Sequence, residues 1–161
     1  MPVKKHFRSQ KLQAMKKDLR HIIGNISHLE NIDEEHKISG QTMYSLYSKQ
    51  LQKYIIIQMC PNEIQKACKM QIKKHFLQKS ADTRLVPNCI AFKISEHYTY
   101  LVLEQIFGLS LYTFMQHDYY GEETALLHIK LVILGLKKLL RTGTLIRKLS
   151  TDQIMISETQ P

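Results

Sequence analysis

Ten aliphatic side chains crowd residues 122–140, at Leu126, Leu127, Ile129, Leu131, Val132, Ile133, Leu134, Leu136, Leu139 and Leu140, and they point in nearly every direction around a helical axis. A helix of this kind is built for burial on all sides. The chain must therefore cover the segment itself or meet something that does. His128, Lys130, Lys137 and Lys138 interrupt the run, so it does not read as a membrane span, and Glu104 and Gln105 have the same effect on the other apolar window, residues 98–115.

The remaining chain has to supply a core within 161 residues of 43% apolar composition, enough for one domain of ordinary size. Six Gly and four Pro are too few for a collagenous or low-complexity chain. Lys and Arg number 23 against 14 Asp and Glu, a net charge of +9 that suits acidic or phosphorylated partners and nucleic acid alike. Cys60, Cys68 and Cys89 are an odd count with neither CxxC nor zinc-finger spacing, which favours a reducing compartment and argues against a structural metal. The basic opening MPVKKHFRSQKLQAMKK lacks the apolar centre of a signal peptide. An intracellular protein, cytoplasmic or nuclear, is expected.

Periodicity divides the chain into elements. Leu12, Met15, Leu19, Ile22, Ile23, Ile26 and Leu29 recur by threes and fours and predict an amphipathic helix over residues 9–31. Its other face is basic, with seven Lys or Arg and one acid, Asp18, between positions 4 and 20. Runs at 43–47 and 54–59 predict a hairpin. Pro61 and Asn62 then open a helix to about residue 79, with Asn62 as its cap. Ile64, Ala67, Cys68, Ile72, Phe76 and Leu77 make its expected apolar face, and Lys66, Lys69, Lys73, Lys74 and Lys79 its basic one. Cys68, though flanked by lysines, is expected to be a buried thiol of that face. A second hairpin at 89–94 and 98–103, a short helix capped by Ser110, and the long helix ending at Gly143 complete the order.

That order, together with YLVLEQIFGLSLYTFM and EETALLHIKLVILGLKKLLRTGTLIRKLSTDQIMI, resembles a truncated eukaryotic protein kinase domain over about residues 37–161. The resemblance implies an α+β fold: a protein kinase-like N-lobe, an antiparallel sheet plus one helix, over residues 36–107, then an incomplete helical C-lobe over 108–161. Residues 1–35 stand before it as a basic amphipathic helix. Leu103 falls at the gatekeeper position. Glu104 to Ile106 fall at the adenine-binding hinge, so Leu103, Glu104 and Ile106 are the candidate nucleotide-binding residues. Against the catalytic-loop pattern H-R-D-L-x-x-x-N the chain reads Ile146-Arg147-Lys148-Leu149-Ser150-Thr151-Asp152-Gln153.

The departures from the kinase pattern carry the functional expectation. Lys148 stands where an Asp would accept the substrate's proton, and a protonated amine has no lone pair for that task. Gln153 replaces the magnesium-holding Asn, and no DFG follows it. Ile55-Ile56-Ile57-Gln58 resembles the V-A-I-K strand with neutral Gln58 in place of the phosphate-pairing lysine. Counting along the next helix puts Leu77 or Gln78 where the partner Glu belongs, and HKISGQTMY offers only Gly40 to a glycine-rich loop. The resemblance thus implies a pseudokinase with no catalytic residues, no metal and no required cofactor, weak ATP binding through the hinge backbone aside. Its partner is expected to be another protein, such as a kinase or kinase regulator, or a second copy of the chain. The competing classes are a basic nucleic-acid-binding module, which lacks a recognised motif or aromatic platform, and a kinase remnant without a stable role. The apolar helix 122–140 has three candidate covers: helix 9–31, a second copy, or a partner.

Overall fold

The computed structural model describes residues 3–24, 36–38, 41–116, 121–144, 146 and 149–157. In chain order these form α1 (Val3–Ile23), β1 (His36–Ile38), β2 (Gln41–Ser48), β3 (Lys53–Pro61), α2 (Ile64–Ser80), β4 (Cys89–Ile94), β5 (Tyr98–Glu104), β6 (Gly108–Ser110), α3 (Leu111–Met115), α4 (Glu122–Arg141) and β7 (Met155–Ser157). The two hairpins and the helices after them lie where periodicity puts them. Packing divides the chain into two compact units, one of Met1–Lys74 with Cys89–Gln105, the other of His75–Asn88 with Ile106–Pro161.

The first unit is built on an antiparallel five-stranded sheet of order β1-β2-β3-β5-β4. Successive side chains of a strand point to opposite faces, so the register decides which residues share one. Ile57 lies opposite Tyr44 and Val102, whereas Gln58 lies opposite Met43 and Leu101. On the first face Tyr44, Leu46, Ile55, Ile57, Met59, Tyr100 and Val102 are buried together with Met15, Leu19 and Ile23 of α1. Leu12 and Ile22 flank that core.

The stripe expected of the first helix is thus real, it packs on the sheet through Met15, Leu19 and Ile23, and α1 is part of the sheet unit. Its span differs as well. It starts at Val3 and stops at Gly24, whose φ of +77° and N–H bond to the Arg20 carbonyl (3.0 Å) end the helix. A side chain at position 24 would press on Gln50 Oε1, 2.7 Å from the added carbon. Ile26 and Leu29 lie outside the described residues.

The single acid of this basic segment is the residue that ties it down. Tyr100 Oη donates to Asp18 Oδ2 at 2.8 Å, Lys93 Nζ donates to the Asp18 carbonyl, and Ser48 Oγ donates to the Ile23 carbonyl at 3.1 Å. Burial first, and then the Asp18 carboxylate, push the Tyr100 hydroxyl well above its ordinary pKa. The folded chain therefore holds this proton more tightly than the unfolded chain, where tyrosine ionises near 10.0. The contribution to stability is complete below that pH and declines as pH rises through it. Tyr100→Phe is expected to lower stability by about 1 kcal/mol near neutrality and to remove its share of the alkaline decline. Urea unfolding of both proteins at neutral pH and above pH 10 checks this; parallel losses in the two would exclude it.

In the second unit α4 carries Glu122 and Glu123 in its first turn and Lys138 and Arg141 in its last, matching the helix dipole at both ends. Gly143, at φ +72°, follows its C-cap. Lys138 Nζ donates to the Thr83 carbonyl at 2.8 Å, and the Phe114 and His128 rings meet edge-on at 5.3 Å. Ser110 Oγ accepts from the Thr113 N–H at 3.0 Å and starts α3 as its spacing predicts. β6 pairs with β7, and the Leu111 N–H donates to the Ile154 carbonyl at 2.7 Å, joining the segment after residue 107 to the one after Gln153. The burial expected around α4 is largely missing. Leu139 is buried, whereas Leu126, Leu127, Ile129, Leu131, Ile133, Leu134 and Leu140 are exposed.

Candidate functional site

The second face of the sheet holds Gln58 and Leu103, two of the residues that the kinase resemblance singles out. Opposed pairs place Ile56 with Leu103, Gln58 with Leu101 and Cys60 with Thr99 on this side. Leu103, Leu101, Cys60 and Thr99 are buried, and Gln58 is only 5% exposed. Burial raises the Cys60 thiol above its ordinary pKa. Ser45, opposite Ile56, donates its hydroxyl to Gln105 Oε1, which closes the β5 end of this face.

Helix α2 reaches the face through a residue that the apolar pattern does not reveal. Met70, Leu77 and Ser80 are buried, and Lys73 lies between them at helical spacing. Its Nζ donates to Gln58 Oε1 at 2.8 Å, and burial pulls its pKa below the ordinary 10.5. The expected face is therefore corrected: Ile64 is 83% and Ile72 68% exposed, and Cys68 is exposed rather than buried. The physical reason lies on β3. Gln58 puts a polar group in the buried strand face, and a lysine whose long stem packs while its tip bonds satisfies that group where Ile72 would not. The residue opposing Gln58 is accordingly Lys73, not Leu77 or Gln78.

Asn62 also has a different task from the one expected. It does not cap α2. Its Nδ2 donates to the Ser95 carbonyl, its Oδ1 accepts from Thr99 Oγ1, and its backbone N–H donates to the His97 carbonyl at 3.0 Å. It thereby fastens the start of α2 to the β4–β5 turn. The amides of Lys66 and Ala67 donate to the Glu63 carbonyl instead, each at 2.9 Å. Lys74 lies over the Phe92 ring at 5.1 Å and supports the same helix.

The structure brings some candidate residues together and separates others. Gln58 and Leu103 share a face. Glu104 is turned to the opposite side, where its carboxylate pairs with Lys53 at 3.2 Å, while the Gln105 N–H donates to the Tyr54 carbonyl at 3.1 Å. Ile106 belongs to the second unit. So does Gln153, an exposed residue that spends its side-chain oxygen on the Ser150 N–H at 3.2 Å. Lys148 and Gly40 lie outside the described residues. Lys73 is the residue that reasoning from sequence missed. Its signal is the spacing of Met70, Lys73, Leu77 and Ser80, which places a lysine on the inner side of the helix.

With this geometry in hand, the chain is similar in fold to a solved structure, the crystal structure of Rad53 1-466 in complex with AMP-PNP. The TM-score is 0.64 at 19% identity, covering 80% of this chain and 34% of that one. The chain thus spans about a third of the length of that structure. No family model and no curated protein matches it. The fold is α+β and protein kinase-like, an antiparallel sheet with its helix followed by a helical part. Among the described residues no helix is long and apolar enough to cross a membrane.

Proposed function

We propose that this chain is a catalytically inactive protein kinase-like protein that acts as a protein-binding, regulatory module. The observation that carries the reading is the Gln58–Lys73 contact at 2.8 Å. Phosphoryl transfer in kinases needs a cation on this strand to pair with the nucleotide phosphates and a carboxylate on the following helix to hold that cation. Here the strand offers a neutral acceptor and the helix a cation. No acid stands between Glu63 and Asp82 to reverse the arrangement. Lys148, in the position of the proton-accepting Asp, supports the same reading. No cofactor is required by it, and any affinity for ATP is expected to be weak.

The binding half of the proposal draws on α4. Leu127, Leu131 and Leu134 follow one another at helical spacing and are all exposed. Pure protein incubated with labelled ATP and magnesium is expected to transfer no phosphate to itself or to generic substrates. Robust transfer that disappears in Gln58→Ala or Lys148→Ala would overturn the catalytic half. Leu127→Glu with Leu134→Glu is expected to leave the melting temperature unchanged and abolish association with the protein's partner or with itself. Association that survives this pair would overturn the other half.

A further inference from the structure

We propose that helix α4 pairs antiparallel with α4 of a second copy of this chain, with Leu127, Leu131 and Leu134 as the seam. The proposal rests on the binding half of the reading above and names the partner. The three leucines are spaced by four and then three residues, as in a two-helix seam, and each is more than half exposed. Exposure alone does not choose an occupant; the charges beside the leucines do.

Glu123 stands one turn before Leu127, and Lys137 and Arg141 stand on the same flank of the helix after Leu134, within about 40° of Glu123 around the axis. All three are exposed, and none joins an ion pair among the described residues. In a twofold antiparallel pair with Leu131 on the axis, Leu127 of one copy lies beside Leu134 of the other, and Glu123 comes level with Lys137 and Arg141 of the other. The symmetry makes each contact twice. A parallel pair would instead set Glu123 against Glu123 and Lys137 against Lys137, and would align the two helix dipoles. The one like-charge approach on this flank of the antiparallel pair is at Lys130, which faces its own counterpart near the axis. Helix α4 has 20 residues and is about 30 Å long. A single helix pair of that length lies at the small end of specific interfaces, so the dimer is expected to form in the micromolar range.

The test is sedimentation equilibrium of the full chain across the micromolar range at low ionic strength. Every residue substituted is exposed, and circular dichroism checks that each variant keeps the fold. A monomer–dimer equilibrium is expected, weakening as salt screens the charged flank. Leu131→Glu is expected to leave only monomer, because two carboxylates would meet on the axis. Glu123→Lys should weaken the dimer about tenfold, since each copy loses its ion pairs and gains like charges. Adding Lys137→Glu and Arg141→Glu to Glu123→Lys should restore most of the affinity, and Lys130→Ala alone should tighten the dimer. Three results would overturn the proposal: monomer throughout, a dimer indifferent to Leu131→Glu, or charge reversals that weaken the dimer further when combined. A monomer whose association with another protein is lost in Leu127→Glu with Leu134→Glu would refute the second copy as partner and leave the binding half of the proposed function standing. Association untouched by that pair would remove both, so the two readings fail distinguishably.

Discussion

Gln58→Lys, the substitution that restores the lysine of a kinase strand, is expected to destabilise this protein rather than repair it. The new ammonium would enter a face where Gln58 is buried and where Lys73 Nζ already points at its side-chain oxygen. Lys73 would lose its acceptor and gain a like charge at contact distance. Both effects carry one sign, and each is large because the position is screened poorly from the interior. A loss of about 3 kcal/mol is expected, the range for leaving a buried charge uncompensated, which corresponds to a fall of roughly 6–12 °C in melting temperature for a chain of this size. Lys73→Glu is the second half of the experiment. Added to Gln58→Lys, it converts the contact into a strand cation facing a helix carboxylate, so the double substitution is expected to recover most of the loss. Urea unfolding of the four proteins gives the coupling directly. Additive losses would mean that the two side chains do not meet and would remove the central observation of the proposed function.

The sequence made the frame of this fold legible wherever burial follows a simple period. Runs of β-branched and aromatic residues located both hairpins, and β2, β3, β4 and β5 fall within a residue or two of their expected ends. Ser110 and Gly143 marked helix boundaries because the chemistry of a cap is local. What escaped is instructive on physical grounds. The inner stripe of α2 mixes Met70 and Leu77 with Lys73 and Ser80, so a search for apolar residues alone turned the helix toward Ile64 and Ile72. Asn62 has the composition of a cap but is claimed by Thr99 and the β4–β5 turn, partners more than thirty residues away that no local pattern reveals. The first helix showed its apolar stripe plainly, whereas its docking surface depended on which sheet face was left uncovered. A period tells which side of an element is buried; it does not tell against what. The same limit applies to the site. Gln58 was singled out from the strand motif, but the meaning of that departure came only with the identity of the side chain opposite.

Leu19→Asp is expected to unfold the sheet unit, because the face under α1 is as much a core as any in the chain. Leu19 is fully buried with Met15 and Ile23 against Tyr44, Ile55, Ile57 and Val102. Leu19→Ala would remove buried methyl groups and leave a cavity, at a cost of about 3 kcal/mol. An aspartate at the same position adds the burial of a carboxylate with no cation provided for it, and the sum approaches the whole stability of an ordinary domain, about 5–15 kcal/mol. Lys17→Ala serves as the control, since Lys17 is exposed and its loss should change stability by less than about 0.5 kcal/mol. The comparison separates two roles for the basic N-terminal segment. An arm that merely accompanies the sheet would tolerate Leu19→Asp with an unchanged urea midpoint and amide exchange altered only within α1. A structural layer would lose protection across β2, β3 and β5 at once, since those strands contribute Tyr44, Ile57 and Val102 to the same buried cluster. The second outcome is expected. The Asp18–Tyr100 and Ser48–Ile23 bonds tie the helix to β5 and β2 as well, so freeing it would break polar as well as apolar contacts.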